Sequence, residues 1–332
     1  MPIQGLLQFV LRYKVFIILI VICIPASIGS EYFFTLSNIF NIIRQISMQG
    51  MLAIGFTMIL ACGSIDLSIG SIVGLVGITT AMVSKLGDGL PLPYVSLIVI
   101  SLVFGAAIGY ANGFVVSTLK IPAFVATLST QTVMRGSIYV MTGNQHVSDI
   151  PPELIYFGQG YVGKVPFPMI LLIAVTIVGV VVLYRTRFGR YVIAVGANRN
   201  AAHYCGINVK RVEYGVFIAM GLAAAMASLV LTGRSGTAQI GGGLNMEMDA
   251  IAAVVMGGTP MTGGSGNIVG AVGGSLIIGV ISNMLNLMHV DSNWQYVVKG
   301  LLIIGAVLLD VQTTKLQHML GDRKQGKGER LS

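Results

Sequence analysis

Runs of about 20 apolar residues, the length that crosses a bilayer, recur along nearly the whole chain, and one long stretch interrupts them. That stretch is Arg185–Arg211, RTRFGRYVIAVGANRNAAHYCGINVKR, a polar loop with six Lys and Arg. Nearly everything before Tyr184 and after Val212 reads as membrane. Only 10% of the 332 residues are charged and 55% are hydrophobic, against roughly 25% charged in soluble domains. Such a chain cannot hide its apolar surface in one water-soluble core. It also carries 43 glycines, nearly twice the roughly 7% average. Membrane helices use glycine to bring backbones together.

Ten membrane-embedded segments are expected, at 15–34, 39–63, 67–83, 94–119, 123–141, 166–184, 212–231, 249–256, 267–288 and 295–309. The fold class is therefore an all-α polytopic membrane protein of about ten embedded helices in one transmembrane domain, 1–332. The Gly-rich stretches 63–74 and 241–270 read as breaks. The eighth segment is too short for a plain span and reads as a re-entrant or broken helix, which is tolerated only where protein or a water-filled cavity surrounds its backbone.

The net charge of +8 follows from position. Arg12 and Lys14 precede the first apolar run, six basic residues lie in 185–211, and five lie in the tail at Lys315, Arg323, Lys324, Lys327 and Arg330. If these segments are cytosolic, the positive-inside rule accounts for the charge and no nucleic-acid partner is implied. Ten crossings then leave both termini, the 185–211 loop and the 311–332 tail inside, with the acidic, Pro-rich 142–165 loop outside. Cys23, Cys62 and Cys205 are scattered and form no disulfide framework or metal spacing.

Catalytic motifs are missing: there is no Walker phosphate loop, H-E-x-x-H or G-x-S-x-G. No metal or cofactor site is expected, and the chain does not read as an enzyme. Several polar residues in apolar surroundings remain as candidates for a translocation path. Asp66, in GSIDLSIGS with Ser68, reads either as a cap for the following helix or as an intramembrane carboxylate with a pathway role. Glu247 and Asp249 fall near the outer face by this count and read first as caps of the eighth segment, second as acceptors for an incoming solute. The fifth segment carries Thr127, Ser129, Thr130, Gln131, Thr132 and Arg135, suited to interhelical hydrogen bonds or to the wall of a hydrated path. Asn283, Asn286 and His289 form a stripe on the ninth segment. Gly105, Gly109 and Gly113 form a double G-x-x-x-G for tight helix packing. GSIDLSIGSIVG (63–74) and GTPMTGGSGNIVG (258–270) hint at an internal repeat, which would point to a transport pathway.

In the basic loop, Asn198 followed by RNAAHYC and Gly206 reads as a short exposed helix, with Asn198 as N-cap and Gly206 as its stop. It suits docking of a soluble partner, or contact with anionic lipid.

Three of these stretches resemble motifs of the ribose-type sugar permeases of ABC importers. Gly63–Ser71, GSIDLSIGS, resembles their G-x-D-L-S-x-G-S signature. Arg185–Val209 is similar to their cytosolic coupling loop. Asp249–Gly266, DAIAAVVMGGTPMTGGSG, resembles their D-A-I-A-A-V-x-x-G-G-T-x-x-x-G-G-x-G. The resemblance implies a bacterial plasma-membrane permease that works by alternating access. It also implies a second permease copy or paralogue, separate ATPase subunits that use ATP and Mg, and a periplasmic or lipid-anchored sugar-binding protein. The coupling helix would comprise Asn198, Arg199, Asn200, Ala201, Ala202, His203 and Gly206. Asn200 stands where the importers' E-A-A-x-x-x-G pattern has Glu, which removes any salt bridge expected there. Permeases for nucleosides or branched-chain amino acids share this design. An ion-coupled secondary carrier is the remaining class, and would need a charged intramembrane ion site.

Overall fold

A computed structural model describes residues 19–85, 94–291 and 293–301, together with 304, 305 and 308. Arg12, Lys14 and the 311–332 tail lie outside the described residues. In chain order the helices are α1 (Leu19–Gly29), α2 (Leu36–Ala61), α3 (Ile69–Lys85), α4 (Tyr94–Ser117), α5 (Ala123–Thr142), α6 (Pro152–Gln159), α7 (Phe167–Arg185), α8 (Arg187–Ala197), α9 (Arg199–Tyr204), α10 (Val209–Ser235), α11 (Met246–Met256), α12 (Ile268–Leu287) and α13 (293–301). A two-residue hairpin, β1 (Tyr161–Val162) and β2 (Val165–Pro166), precedes α7.

Among the described residues five helices, α2, α4, α7, α10 and α12, are long and apolar enough to cross a membrane. They make this an all-helical membrane protein. The ten expected segments exceed that number: α3 has 17 residues, α11 has 11, and α5 is diluted by its polar face. Helices α2, α10 and α12 form the interior, while α4 and α7 leave most of their surface exposed, as lipid-facing helices do. The 185–211 loop holds more structure than expected. An amphipathic helix, α8, precedes the short α9, and buries Val192 and Val195 while its charged residues point out. Likewise 142–165 contains α6 and half of the hairpin.

Local sequence explains many of the ends. Thr35 accepts a hydrogen bond from the Asn38 backbone N–H to start α2, and Asn198 accepts from Ala201 N–H to start α9. Gly143 stops α5 in the left-handed conformation. Between helices, α10 packs most extensively on α4 and α2. Gly105, Gly109 and Gly113 lie along that contact: Gly105 meets the Gly221 carbonyl, Gly109 the Phe217 carbonyl and Gly113 the Cα of Tyr214. A side chain there would have to displace α10 backbone.

The bundle has two ends. At one, α9 sits beside α8 and the start of α10. Gly63, just past α2, lies against Gly196 at the end of α8. The Gly-rich 257–267 turn closes there too, with Gly264 N–H donating to the Ala61 carbonyl at 3.0 Å. At the other end α6 packs against the end of α10, and Val147 pairs with Ala238.

Candidate functional site

Two chain breaks meet inside the bundle. The first, 62–68, turns α2 into α3. Asp66 Oδ1 accepts from the Ser68 backbone N–H at 2.8 Å and from Ser68 Oγ at 2.5 Å. Asn112 of α4 donates to Ser68 Oγ at 2.8 Å, and Leu67 N–H donates to Thr127 Oγ1 of α5 at 3.1 Å. Asp66 is wholly buried, and its Oδ2 and the Asn112 Oδ1 have no hydrogen-bond partner among the described residues. Asp66 thus holds the start of α3 as a buried carboxylate.

The second break is the segment 236–256. The chain leaves α10 at the far end and runs in extended and turn conformations down into the bundle. The carbonyls of Gly242 and Gly243 settle on Gly74 and Gly70 of α3, whose missing side chains make room for them. Only then does α11 begin, from Asn245 in the left-handed conformation, and it covers the remaining depth as a half-helix. Asp249 accepts from Gln49 Nε2 at 3.2 Å, and Gln49 lies midway along the 26-residue α2. This corrects the expectation that Glu247 and Asp249 sit near the outer face: they lie near the middle of the bundle. Both stand in the first turn of α11, as the capping reading has it, and their side chains also reach other elements. Glu247 Oε1 accepts from Gln131 Nε2 of α5 at 3.1 Å, and Asp249 Oδ2 forms an ion pair with Lys299 of α13 at 2.8 Å. Both carboxylates are in the first turn of α11, where the helix dipole favours negative charge. Glu247 Oε2 and Gln49 Oε1 are buried and have no hydrogen-bond partner among the described residues.

The polar face of α5 divides into two classes. Ser129, Thr130 and Thr132 donate to carbonyls of their own helix, which satisfies them without any neighbour. Thr127, Gln131 and Arg135 reach other elements, and Arg135 Nη1 donates to the carbonyls of Ile240 and Gly242, each at 3.0 Å. The Asn283 stripe splits as well. Asn283 is buried and exchanges two hydrogen bonds with Asn38 of α2, at 3.0 and 2.7 Å. Asn286 is exposed and accepts from Gln295, and His289 lies past the end of α12. Sequence reasoning missed Gln49, Lys299, Asn38 and Asn112. Lys299 carried a usable signal, a charge inside an expected span. The three amides carried none that separates them from packing residues.

At the other end, α9 presents Arg199, Asn200, Ala201, His203 and Gly206 to solvent and buries Ala202. Arg199 pairs with the buried Glu213 of α10. A groove of about 570 Å³ beside α9 is lined by Lys120, Arg199, Asn200, His203, Asn208 and Lys210, among others. Lys120, Arg199 and Lys210 make its lining basic.

A helical membrane bundle with a half-helix starting at its middle, and carboxylates and amides gathered around that start, is built as a solute transport protein. The model of the family described as branched-chain amino acid transport system / permease component matches residues 38–307, and the chain belongs to that family. It is 38% identical over 308 residues to the ribose import permease protein RbsC of Haemophilus influenzae, covering 91% of this chain and 94% of that one. The Bacillus subtilis protein of the same name is 39% identical over 89% of this chain and 91% of its own. The D-allose transport system permease protein AlsC of Escherichia coli is 36% identical, over 89% and 90%. No solved structure matches the chain.

Proposed function

We propose that this chain is the membrane-spanning permease subunit of an ABC importer for a monosaccharide. The observation that carries the reading is the similarity to ribose and allose import permeases over about nine-tenths of both chains. The interior supports a neutral, hydroxyl-bearing solute. Its cations among the described residues are already engaged, Lys299 with Asp249 and Arg135 with backbone carbonyls, while Glu247 Oε2 and Gln49 Oε1 can still accept. A zwitterionic amino acid would call for unengaged charges of both signs, so the second reading, suggested by the family's description, is the weaker one.

In this reading ten segments are embedded, both termini and α9 face the cytosol, and α9 with Asn198–Gly206 docks an ATPase subunit. ATP and Mg belong to that subunit. A second permease copy or paralogue completes the pore, lipid surrounds α4 and α7, and a sugar-binding protein delivers solute at the far end. The path runs past Asp66, Ser68, Thr127, Gln131, Glu247, Asp249 and Asn283, with Asn286 at its mouth. Binding of ATP moves α8 and α9, and because Gly196 lies against the end of α2 and, with Ala197, against Gly263 and Gly264 of the turn after α11, that movement reaches the path through backbone contact.

The test is uptake by proteoliposomes holding this chain, its co-purifying ATPase and a loaded binding protein, across labelled sugars, nucleosides and amino acids. ATP-dependent sugar uptake, lost when α9 is disrupted, supports the reading. Uptake driven by an ion gradient without ATPase overturns it in favour of a secondary carrier.

A further inference from the structure

Segment 236–245 is a strap of backbone inside a membrane protein, and turns of its own, with Gly242 N–H donating to the Gln239 carbonyl and Leu244 N–H to the Gly241 carbonyl, secure only part of it. Gly236, Gly243 and Asn245 all have positive φ, at +67°, +78° and +61°, and no regular secondary structure satisfies its polar groups. Lipid cannot satisfy them either, so such a segment persists only where protein supplies partners. Here the partners come from one direction. Val147 and Ala238 exchange two backbone hydrogen bonds, each at 3.0 Å. His146 Nδ1 accepts from Ile240 N–H at 3.2 Å. Deeper in the bundle, Arg135 donates to the Ile240 and Gly242 carbonyls. At the end of the strap Gln131 holds Glu247. The whole set belongs to α5 and the residues just after it.

Arg135 has the central place in this series. It grips the strap where it rests on Gly74, three residues before α11 opens, and it is a charged group one helical turn from Gln131. A charge within a membrane bundle is costly to keep, yet this one forms no ion pair among the described residues and spends its Nη1 on two carbonyls. Those bonds set how deep the strap descends, and hence where the α11 half-helix and its Glu247 begin. We propose that Arg135 is the positioning residue of the translocation path: it fixes the strap against α3, and release of the strap from Arg135 changes the opening beside Glu247. The transport half of this inference rests on the importer reading above; the structural half does not.

Arg135→Ala, Arg135→Lys and His146→Ala chains, assembled with ATPase and binding protein in proteoliposomes, test it. Two quantities are read: sugar moved per ATP hydrolysed, and amide hydrogen exchange across 237–247. Arg135→Ala is expected to raise exchange in the strap by about tenfold or more, the worth of one charge-assisted hydrogen bond, and to lower sugar per ATP by a comparable factor. Arg135→Lys, whose ammonium can still donate to a carbonyl, is expected to recover part of both. His146→Ala, at the exposed start of the strap, is expected to move both in the same direction by less. Unchanged exchange in Arg135→Ala overturns the proposal, as does a lowered yield of sugar per ATP that Arg135→Lys does not partly restore. If Arg135→Ala fails to assemble, unchanged exchange in both milder variants overturns it. If the unaltered chain moves no sugar with ATP, the importer reading falls, while exchange measured on the permease alone in detergent still decides what Arg135 holds.

Discussion

The two breaks in this bundle are held in opposite ways. The 62–68 turn is largely self-supporting: Asp66 satisfies Ser68 two residues on, and Asn112 and Thr127 add outside support. The 236–245 strap has turn bonds of its own, but its side-chain support, and that of the start of α11, comes from groups far along the chain, namely Arg135, Gln131, Gln49 and Lys299. A turn that caps itself keeps its shape when its neighbours move. A strap held by distant helices moves when they do.

The largest expected effect tests the dependent break. Lys299→Met leaves Asp249 buried without its ion partner, and breaking such a pair costs about 3–5 kcal/mol. Thermal unfolding of the purified permease in detergent would register it, and Asp249→Asn added to Lys299→Met should recover much of the loss. A double variant no better than the single one would mean that Lys299 acts by packing alone. Next comes the self-supporting break. Asp66→Ala strands the Ser68 amide and hydroxyl, at about 1–3 kcal/mol for each unsatisfied group. Asn112→Ala removes only outside support and should cost about 1 kcal/mol. If the two cost the same in unfolding experiments, the 62–68 turn is held from outside after all and the contrast fails. The smallest effect is at α9, where Asn198→Ala removes one exposed N-cap worth about 1 kcal/mol of local helix stability. Amide exchange within 199–205 should rise while the melting temperature of the bundle barely changes.

Much of the helical layout could be read from the chain. The segment at 39–63 corresponds to α2, that at 94–119 to α4 and that at 267–288 to α12, within a few residues, because a bilayer demands about 20 apolar residues in helix and little else shapes such runs. The α9 cap was legible for a different reason: Asn198 bonds a backbone group three residues away, so the whole interaction lies within the pattern being read. What stayed hidden were α8, whose charges made it look like plain loop, and the true partners of the polar residues. Thr130 and Gln131 are adjacent and equally polar. One bonds its own helix, the other reaches Glu247, and only the direction each faces in the folded bundle separates them.

Depth in the membrane marks the same boundary. Hydropathy determined that 249–256 is too short for an ordinary span, and that a Gly-rich break falls within 241–270. It could not determine how far the chain descends before α11 begins. That depends on Gly70 and Gly74, well over a hundred residues earlier, offering bare backbone for the strap to rest on, and on side chains of α2, α5 and α13 meeting its carbonyls and carboxylates. Hydrophobicity is a property each residue carries with it, so the spans were written in the order of residues. The position of a broken segment depends on which surfaces receive it, and those surfaces exist only once the helices have packed.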